Sequence, residues 1–537
     1  MKRRIWTQQA LAALALQACS SAPGLRNPSQ GSTGLRTPSS TLLTPKSHPF
    51  SLGVASSVLG EDSVLLWTRI LPTEFDRDAP PLADVMVRWE LASDDSFKQI
   101  LKTGESRALA NRAHCVHIKV QGLAPDRPYF YRFHSGNFSS VIGTTRTSPG
   151  AFAKVDQLRI AFASCQHWEF GYFGAYGDLA KQRPDLVLFL GDYMYEGGPY
   201  AGTGQRTRRH TGSNCKTLAQ YRARYALYKS DPNLQLAHAC APWINIWDDH
   251  EVDNDYAGLI SRDRDPDFEA RRLAAYQAYF EHMPVDFDAL LTSNLALNSK
   301  IYHATHWGQL AQISFLDTRQ YRDVHACVPP GRGGAFAESG CPARLDPKRS
   351  LLGMEQERWL DQTLSRSQAQ WNLVAQQTLV TSLSTTLETT PTERVWMDGW
   401  DGYGPAKQRF LKSLAHPSLR NPLVLGGDVH SQWIGDLRQN PQDNKSKIIA
   451  TELCGTSVTS SSGITQKQAE RAMSENPAVR YGNAEKHGYN LLEIKAKTAK
   501  LTLRVSEDLR NPDAPISTLA SFIIESGQPG AIKDTYS

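Results

Sequence analysis

Neither a Gly-x-Ser-x-Gly elbow nor a complete phosphate-binding P-loop occurs in the sequence, which argues against a serine hydrolase and a P-loop nucleotidase. The nearest approach to a P-loop, Gly202-Thr-Gly-Gln-Arg206, lacks the lysine that would reach a phosphate. Long apolar runs are also missing: the one near the N-terminus, Leu11-Ala-Ala-Leu-Ala-Leu16, is too short to span a bilayer. Charge of one sign is scarce. With 59 Lys and Arg against 54 Asp and Glu, a net charge of +5 spread over 537 residues gives no reason to expect a nucleic-acid partner. No fixed-period repeat is visible, so a repeat array is not indicated.

What is there begins with a leader. Lys2-Arg3-Arg4 ahead of the short apolar stretch reads as a twin-arginine-like export signal over residues 1–19, sending the chain to the periplasm or cell surface. Leu16-Gln-Ala-Cys19 resembles a lipoprotein cleavage box, which would make Cys19 a lipid anchor. Residues 20–48, dominated by Ser, Thr, Pro and Gly, cannot bury enough apolar surface to fold and read as a disordered tether. Eight cysteines suit an oxidising compartment. Cys327 and Cys341 flank a Pro- and Gly-rich loop that a disulfide would staple, and Cys215 with Cys240 forms a second candidate pair.

The length favours more than one domain. Over residues 49–150, short alternating segments (SVLLWTRI, DVMVRWEL, HCVHIKV, YFYRFHSG) separated by turn residues predict a small all-β sandwich. GLAPDRPYFYRF resembles the corner of fibronectin-III-like domains. From residue 155 to 537 the pattern changes to continuous apolar strands, such as LRIAFA, DLVLFL, WINIW, QISFLD, NLVA and PLVLGG. Helical stretches such as RRLAAYQAYF and GMEQERWLDQTL lie between them. Strands buried on both faces with helices between them predict a layered α/β domain, two sheets flanked by helices. A tail from about residue 511 carries the apolar piece LASFII, which predicts that it is docked.

Four strands end in residues that bind metals or move protons: LRIAFASCQ, DLVLFLGDYMYE, INIWDDHE and PLVLGGDVH. Ligands of open α/β sheets sit beyond the carboxyl ends of the strands, so these distant endings would converge. One such ending alone is usually a turn or cap; four together point to a site built by Cys165, Asp192, Tyr195, Asp249, Asp428 and His430. Thiolate, carboxylate, phenolate and imidazole from Cys165, Asp192, Tyr195 and His430 form a strongly donating set that favours ferric iron. Asp192, Asp249, Asp428 and Asn254 would make an all-oxygen second pocket suited to calcium, magnesium or manganese. Asp192 would bridge the two.

FSLGVASSVLGEDSVLLWTRILP, ASCQ, GYFGAY, LGDYMYE, WDDHEVDND, FLDTRQYR, WDGY and GGDVH follow one another in an order that resembles the alkaline phosphatase D (PhoD-like) family. Its metal core is related to that of the calcineurin-like metallophosphoesterases. The resemblance spans roughly residues 50–505. It implies iron held by Cys165, Asp192, Tyr195 and His430, with calcium near Asp192, Asn254 and Asp428. Whether Asp249 or Asn254 is the direct second ligand stays open. VDNDY departs from the family's VxNNY, so Asp255 replaces an amide and adds negative charge there.

The implied activity is phosphoester hydrolysis, as an alkaline phosphatase or phosphodiesterase, by a hydroxide activated at a dinuclear Fe(III)/calcium site. His250 is the candidate proton donor to the leaving alcohol. His167 and Arg319 are candidate substrate contacts, with a structural ion pair to Asp317 the favoured reading for Arg319. The run TSVTSSSG at 456–463 could edge the site, but a solvated loop is the favoured reading. Substrates consistent with this reading are a small phosphoester or a phospholipid, the latter through phospholipase D-like phosphodiester cleavage. Two other functions compete: a non-catalytic surface phosphate-binding protein, and an adhesion protein working through the sandwich.

Overall fold

The computed structural model describes residues 42–75, 81–202, 206–286, 299–328, 336–338, 341–383 and 394–535. The predicted leader, Cys19 and the tether up to residue 41 lie outside the described residues. Alternation of buried and half-exposed side chains along strands Val85–Ala92 and Pro128–Ser135 leaves one face of their sheet apolar. That five-stranded sheet packs on a three-stranded one, Val54–Val58, Val64–Arg69 and Cys115–Val120, over a core that includes Leu66, Val87, Ile118 and Phe133. The tether reading is corrected at its end. Leu43 bridges Val85 and donates its backbone N–H to the Asp84 carbonyl at 2.9 Å, so residues 42–48 belong to the sandwich surface.

The larger region is a four-layer arrangement around two seven-stranded sheets. In the first, Trp243–Asn245, Leu186–Phe189 and Gln157–Ala163 run parallel. Gly488–Lys495 then pairs antiparallel to Gln157–Ala163, followed by Thr498–Ser506, Ile516–Glu525 and Gln528–Lys533. In the second, Ala311–Phe315, Trp371–Ala375, Pro422–Gly426 and Ile448–Cys454 form a parallel centre flanked by antiparallel strands. Ile160, Phe162, Ile313, Leu373 and Leu425 fill the space between the sheets. The opposite faces are covered by helices, including Phe268–His282 on the first and Met354–Ser365 and Gly404–Leu414 on the second. Both faces of the central strands are therefore dry, which is why they read as unbroken apolar runs.

The docked tail is two strands of the first sheet: the apolar piece ending at Ile524 lies in Ile516–Glu525. Trp67 links the sandwich to the larger region. Its indole donates to the Glu281 carbonyl at 2.8 Å, and the Lys229 ammonium lies 4.2 Å from its ring centroid. A disulfide joins Cys327 and Cys341 as expected, whereas Cys215 and Cys240 are free thiols, correcting the second pairing. Cys240 instead donates to the Ala237 carbonyl within its own helix at 3.2 Å. Among the described residues no helix is long and apolar enough to cross a membrane.

Candidate metal centre

Backbone hydrogen bonds gather the strand ends. Leu190 N–H reaches the Ala163 carbonyl at 2.9 Å, Cys165 N–H reaches Gly191 at 3.1 Å, and Gln166 N–H reaches Asp192 at 3.2 Å. Two glycines permit the close approach. Gly191 has φ +106° and a Cβ there would lie 2.4 Å from the Asp248 Cβ; at Gly427 it would lie 2.3 Å from Ser164 Oγ. Beyond the strands the backbone turns sharply. Cys165, Asp192, Asp428 and His430 all sit in the left-handed region, with φ of 61°, 59°, 64° and 54°. Side chains seldom tolerate that conformation, and its concentration on four candidate ligands marks a functional site.

The Cys165 sulfur, an Asp192 oxygen and a His430 nitrogen all lie within 4.8 Å of one another. Tyr195 joins them: its hydroxyl donates to Asp192 Oδ2 at 2.8 Å and lies 3.2 Å from His430 Nε2. His430 Nδ1 is 3.0 Å from the Ser461 carbonyl, an acceptor, so Nδ1 carries the proton and Nε2 presents its lone pair to the centre. Asp192, Asp249 and His250 form a second group with ligand atoms within 4.8 Å. Asp192 Oδ1 and Asp428 Oδ2 are buried without a hydrogen-bond partner, as expected of oxygens reserved for cations. Asp249 accepts from the backbone N–H groups of His250 (2.9 Å) and Asp255 (2.7 Å), capping the loop that holds Asn254. Asn254 is anchored by its backbone N–H on Glu196 Oε1 at 2.9 Å.

Several organising residues carried no readable signal. Glu251 is buried and accepts from the N–H groups of Asp192 (3.1 Å), Tyr193 (2.6 Å) and Asp248 (2.9 Å), fixing the turn that presents Asp192. Glu196 Oε2 is 2.7 Å from His250 Nδ1. Arg224 and Tyr228, one turn apart on helix Leu218–Lys229, hold the Tyr195 backbone at its carbonyl and its N–H. Ser460, in the run read as a solvated loop, is buried with its Oγ 2.7 Å from the Tyr195 hydroxyl. That reading is corrected.

Arg319 is corrected as a substrate contact. It is 1% exposed, and its guanidinium pairs with Asp248 and, at 2.8 Å, with Asp398, while Asp249 and Asp428 lie 3.7 and 3.9 Å away. Asp317 does not hold the guanidinium but accepts the Arg319 backbone N–H at 2.9 Å. His167 packs against Tyr195 with ring centroids 4.4 Å apart and planes tilted by 53°, and its Nδ1 accepts from Glu169 N–H at 3.2 Å, leaving Nε2 as the donor. A third group, His167, Glu169 and His210, also brings ligand atoms within 4.8 Å. It is structural: the Glu169 carboxylate accepts from the backbone of Tyr200 (2.8 Å) and His210 (3.1 Å).

The centre is short of positive charge. Burial and the neighbouring Asp398, Asp249 and Asp192 push the Asp428 carboxyl up to about 7 against the pull of Arg319. Burial drives Asp248 and the Cys165 thiol well above their ordinary ranges. For Asp192 burial acts the same way, but the positive charge of His250 and the hydrogen bond from the Tyr195 hydroxyl win and hold it low. Cations would relieve the crowding and take the thiol as thiolate.

A stability prediction follows from this crowding. Burial raises Glu251 to about 8 and Asp253 to about 7, alongside Asp428. Folded-state values above the unfolded ones stabilise at low pH and lose that stabilisation as pH rises through the folded values. Chelator-treated protein should therefore melt lower at about pH 9 than at about pH 6, with metal reloading narrowing the gap. Calorimetry at the two pH values checks this; an equal or higher melting point at the alkaline value would contradict it.

Comparison with known proteins bears on the chemistry. A model of the PhoD-like phosphatase family matches residues 160–503, and a model of the PhoD-like phosphatase N-terminal domain matches residues 37–149. Alkaline phosphatase D of Bacillus subtilis (strain 168) is 40% identical over 494 residues, covering 91% of this chain and 82% of that relative. A solved structure of PhoD superposes with a TM-score of 0.85 at 38% identity, covering 92% of this chain and 93% of the other. The chain is a phosphoric ester hydrolase with side-chain clusters that could hold metal ions, and it belongs to the PhoD-like phosphatase family.

Proposed function

We propose that the protein hydrolyses phosphomonoesters or phosphodiesters at a dinuclear centre of ferric iron and calcium. Cys165, Asp192, Tyr195 and His430 hold the iron; Asp192, Asp249, Asn254 and Asp428 frame the calcium. The observation that carries this reading is the meeting of sulfur, carboxylate and imidazole donors within 4.8 Å, with a tyrosine hydroxyl 2.8 Å from the shared carboxylate. Phenolate and thiolate suit a trivalent ion and the oxygen-only side suits a hard divalent one. When bound, the two ions supply an activated water and neutralise charge on the phosphoryl oxygens.

Within the chain, His250 moves the proton. Glu196 engages Nδ1, which leaves Nε2 to face the site and donate to the departing alkoxide. Burial opposes the charged imidazole, but Glu196, Asp249 and Asp192 raise it well above its ordinary value, so it is loaded with a proton. His167 is the candidate donor to a phosphoryl oxygen, through its Nε2–H. His250→Gln should lower kcat by about 10²–10⁴ on an alkyl ester and far less on a nitrophenyl ester, whose leaving group needs no proton. Equal losses on both would remove His250 as the acid.

Elemental analysis with a visible spectrum tests the metals. Iron-loaded protein should show a tyrosinate charge-transfer band that Tyr195→Phe abolishes; an unchanged spectrum would remove Tyr195 from the ligand set. Rates on a monoester, a bis-ester and a lysophospholipid, with and without calcium, distinguish the substrate classes. Export through the residue 1–19 leader and anchoring at Cys19 belong to the same proposal, because a folded, metal-loaded chain suits twin-arginine export.

A further inference from the structure

The loop of residues 456–463 is stitched into the centre along its length. Val458 N–H donates to the Ser164 carbonyl at 3.0 Å, Thr459 Oγ1 donates to the His167 carbonyl at 2.8 Å, and the Ser461 carbonyl faces His430 Nδ1. Ser460 is buried within it, 1% exposed. Its Oγ is 2.8 Å from the Cys165 carbonyl, accepts the His167 backbone N–H at 3.2 Å, and lies 2.7 Å from the Tyr195 hydroxyl oxygen. One side chain therefore touches the segments carrying three candidate site residues.

A serine hydroxyl has one hydrogen and two lone pairs, and a tyrosine hydroxyl bound through oxygen to a cation has no hydrogen left to give. Ser460 lies within hydrogen-bond distance of that oxygen and can turn its hydrogen from the Cys165 carbonyl towards it. We propose that Ser460 is a positioning residue of the metal centre, the hydrogen-bond donor to the Tyr195 oxygen when that oxygen is a ligand. Through this bond it sets the donor strength of the tyrosine and ties the Cys165 and Tyr195 turns to one point. The inference rests on the reading of Tyr195 as an iron ligand.

The test compares wild type, Ser460→Ala and Ser460→Thr, each loaded with ferric iron and assayed for bound iron and visible absorption. A donor to the phenolate oxygen lowers the orbital from which the charge-transfer band arises. Ser460→Ala should thus move the band to longer wavelength, while Ser460→Thr, which keeps a hydroxyl, holds it at the wild-type position. If Ser460→Ala loses iron instead, retention of iron and band by Ser460→Thr supports the same role. A wild-type band in iron-loaded Ser460→Ala would overturn the inference, as would equal shifts or equal iron loss in both variants. A wild-type protein that binds iron and shows no band would overturn the tyrosine ligand itself.

Discussion

Asp192→Asn is expected to reduce hydrolysis by at least about 10³-fold and to strip the protein of both ions. Asp192 is the one carboxylate common to both donor groups, and one of its oxygens is buried without a partner. Ion-based stabilisation of a phosphoryl transfer is worth several kcal/mol, and each ~1.4 kcal/mol is a factor of ten in rate. Asparagine keeps the shape and removes the charge, so the comparison isolates the electrostatic contribution. Metal content by mass spectrometry and kcat on an aryl phosphate check it together. Retention of both ions with normal turnover would refute the bridging role.

The second large effect is on stability. Arg319→Met should cost about 3–5 kcal/mol in urea unfolding, the usual penalty when one partner of a buried ion pair is removed. Arg319 pairs with Asp248 and shares Asp398 with Arg322 and His325, with Asp249 and Asp428 within 4 Å. Arg319→Lys should recover only part of the loss, since an ammonium cannot span Asp248 and Asp398 as a planar fork does. A substrate clamp would behave differently, giving normal unfolding and a raised KM. Normal stability in Arg319→Met would mean that the buried pairs are unimportant.

The candidate ligand positions were legible because each follows an apolar run. A strand dry on both faces cannot hide its ending, and Cys165, Asp192 and Asp428 stand at the first turns beyond Gln157–Ala163, Leu186–Phe189 and Pro422–Gly426. The supporting shell was not legible, because the partners of Glu251, Glu196 and Asp398 are backbone amides, a histidine or arginines brought near only by folding. Ser460 was masked by composition: a Ser/Thr run looks solvated until tertiary hydrogen bonds bury it. Strand Ile100–Ala108 escaped notice for the opposite reason, as it is largely exposed and carries no apolar stripe. The last strands were read only as a docked piece, since pairing partners far along the chain leave no local mark.

That long-range pairing has a consequence for biogenesis. The strand leading to Cys165 is bordered on one side by Leu186–Phe189 and on the other by Gly488–Lys495, with Phe162 facing Asn490. A nascent polypeptide emerging from the ribosome must carry this strand with an open flank until more than three hundred further residues have been made, in the slow regime of non-local pairing. Cofactor insertion therefore belongs to the finished chain. Premature stop codons ahead of Gly488 should yield not a weaker enzyme but an insoluble one.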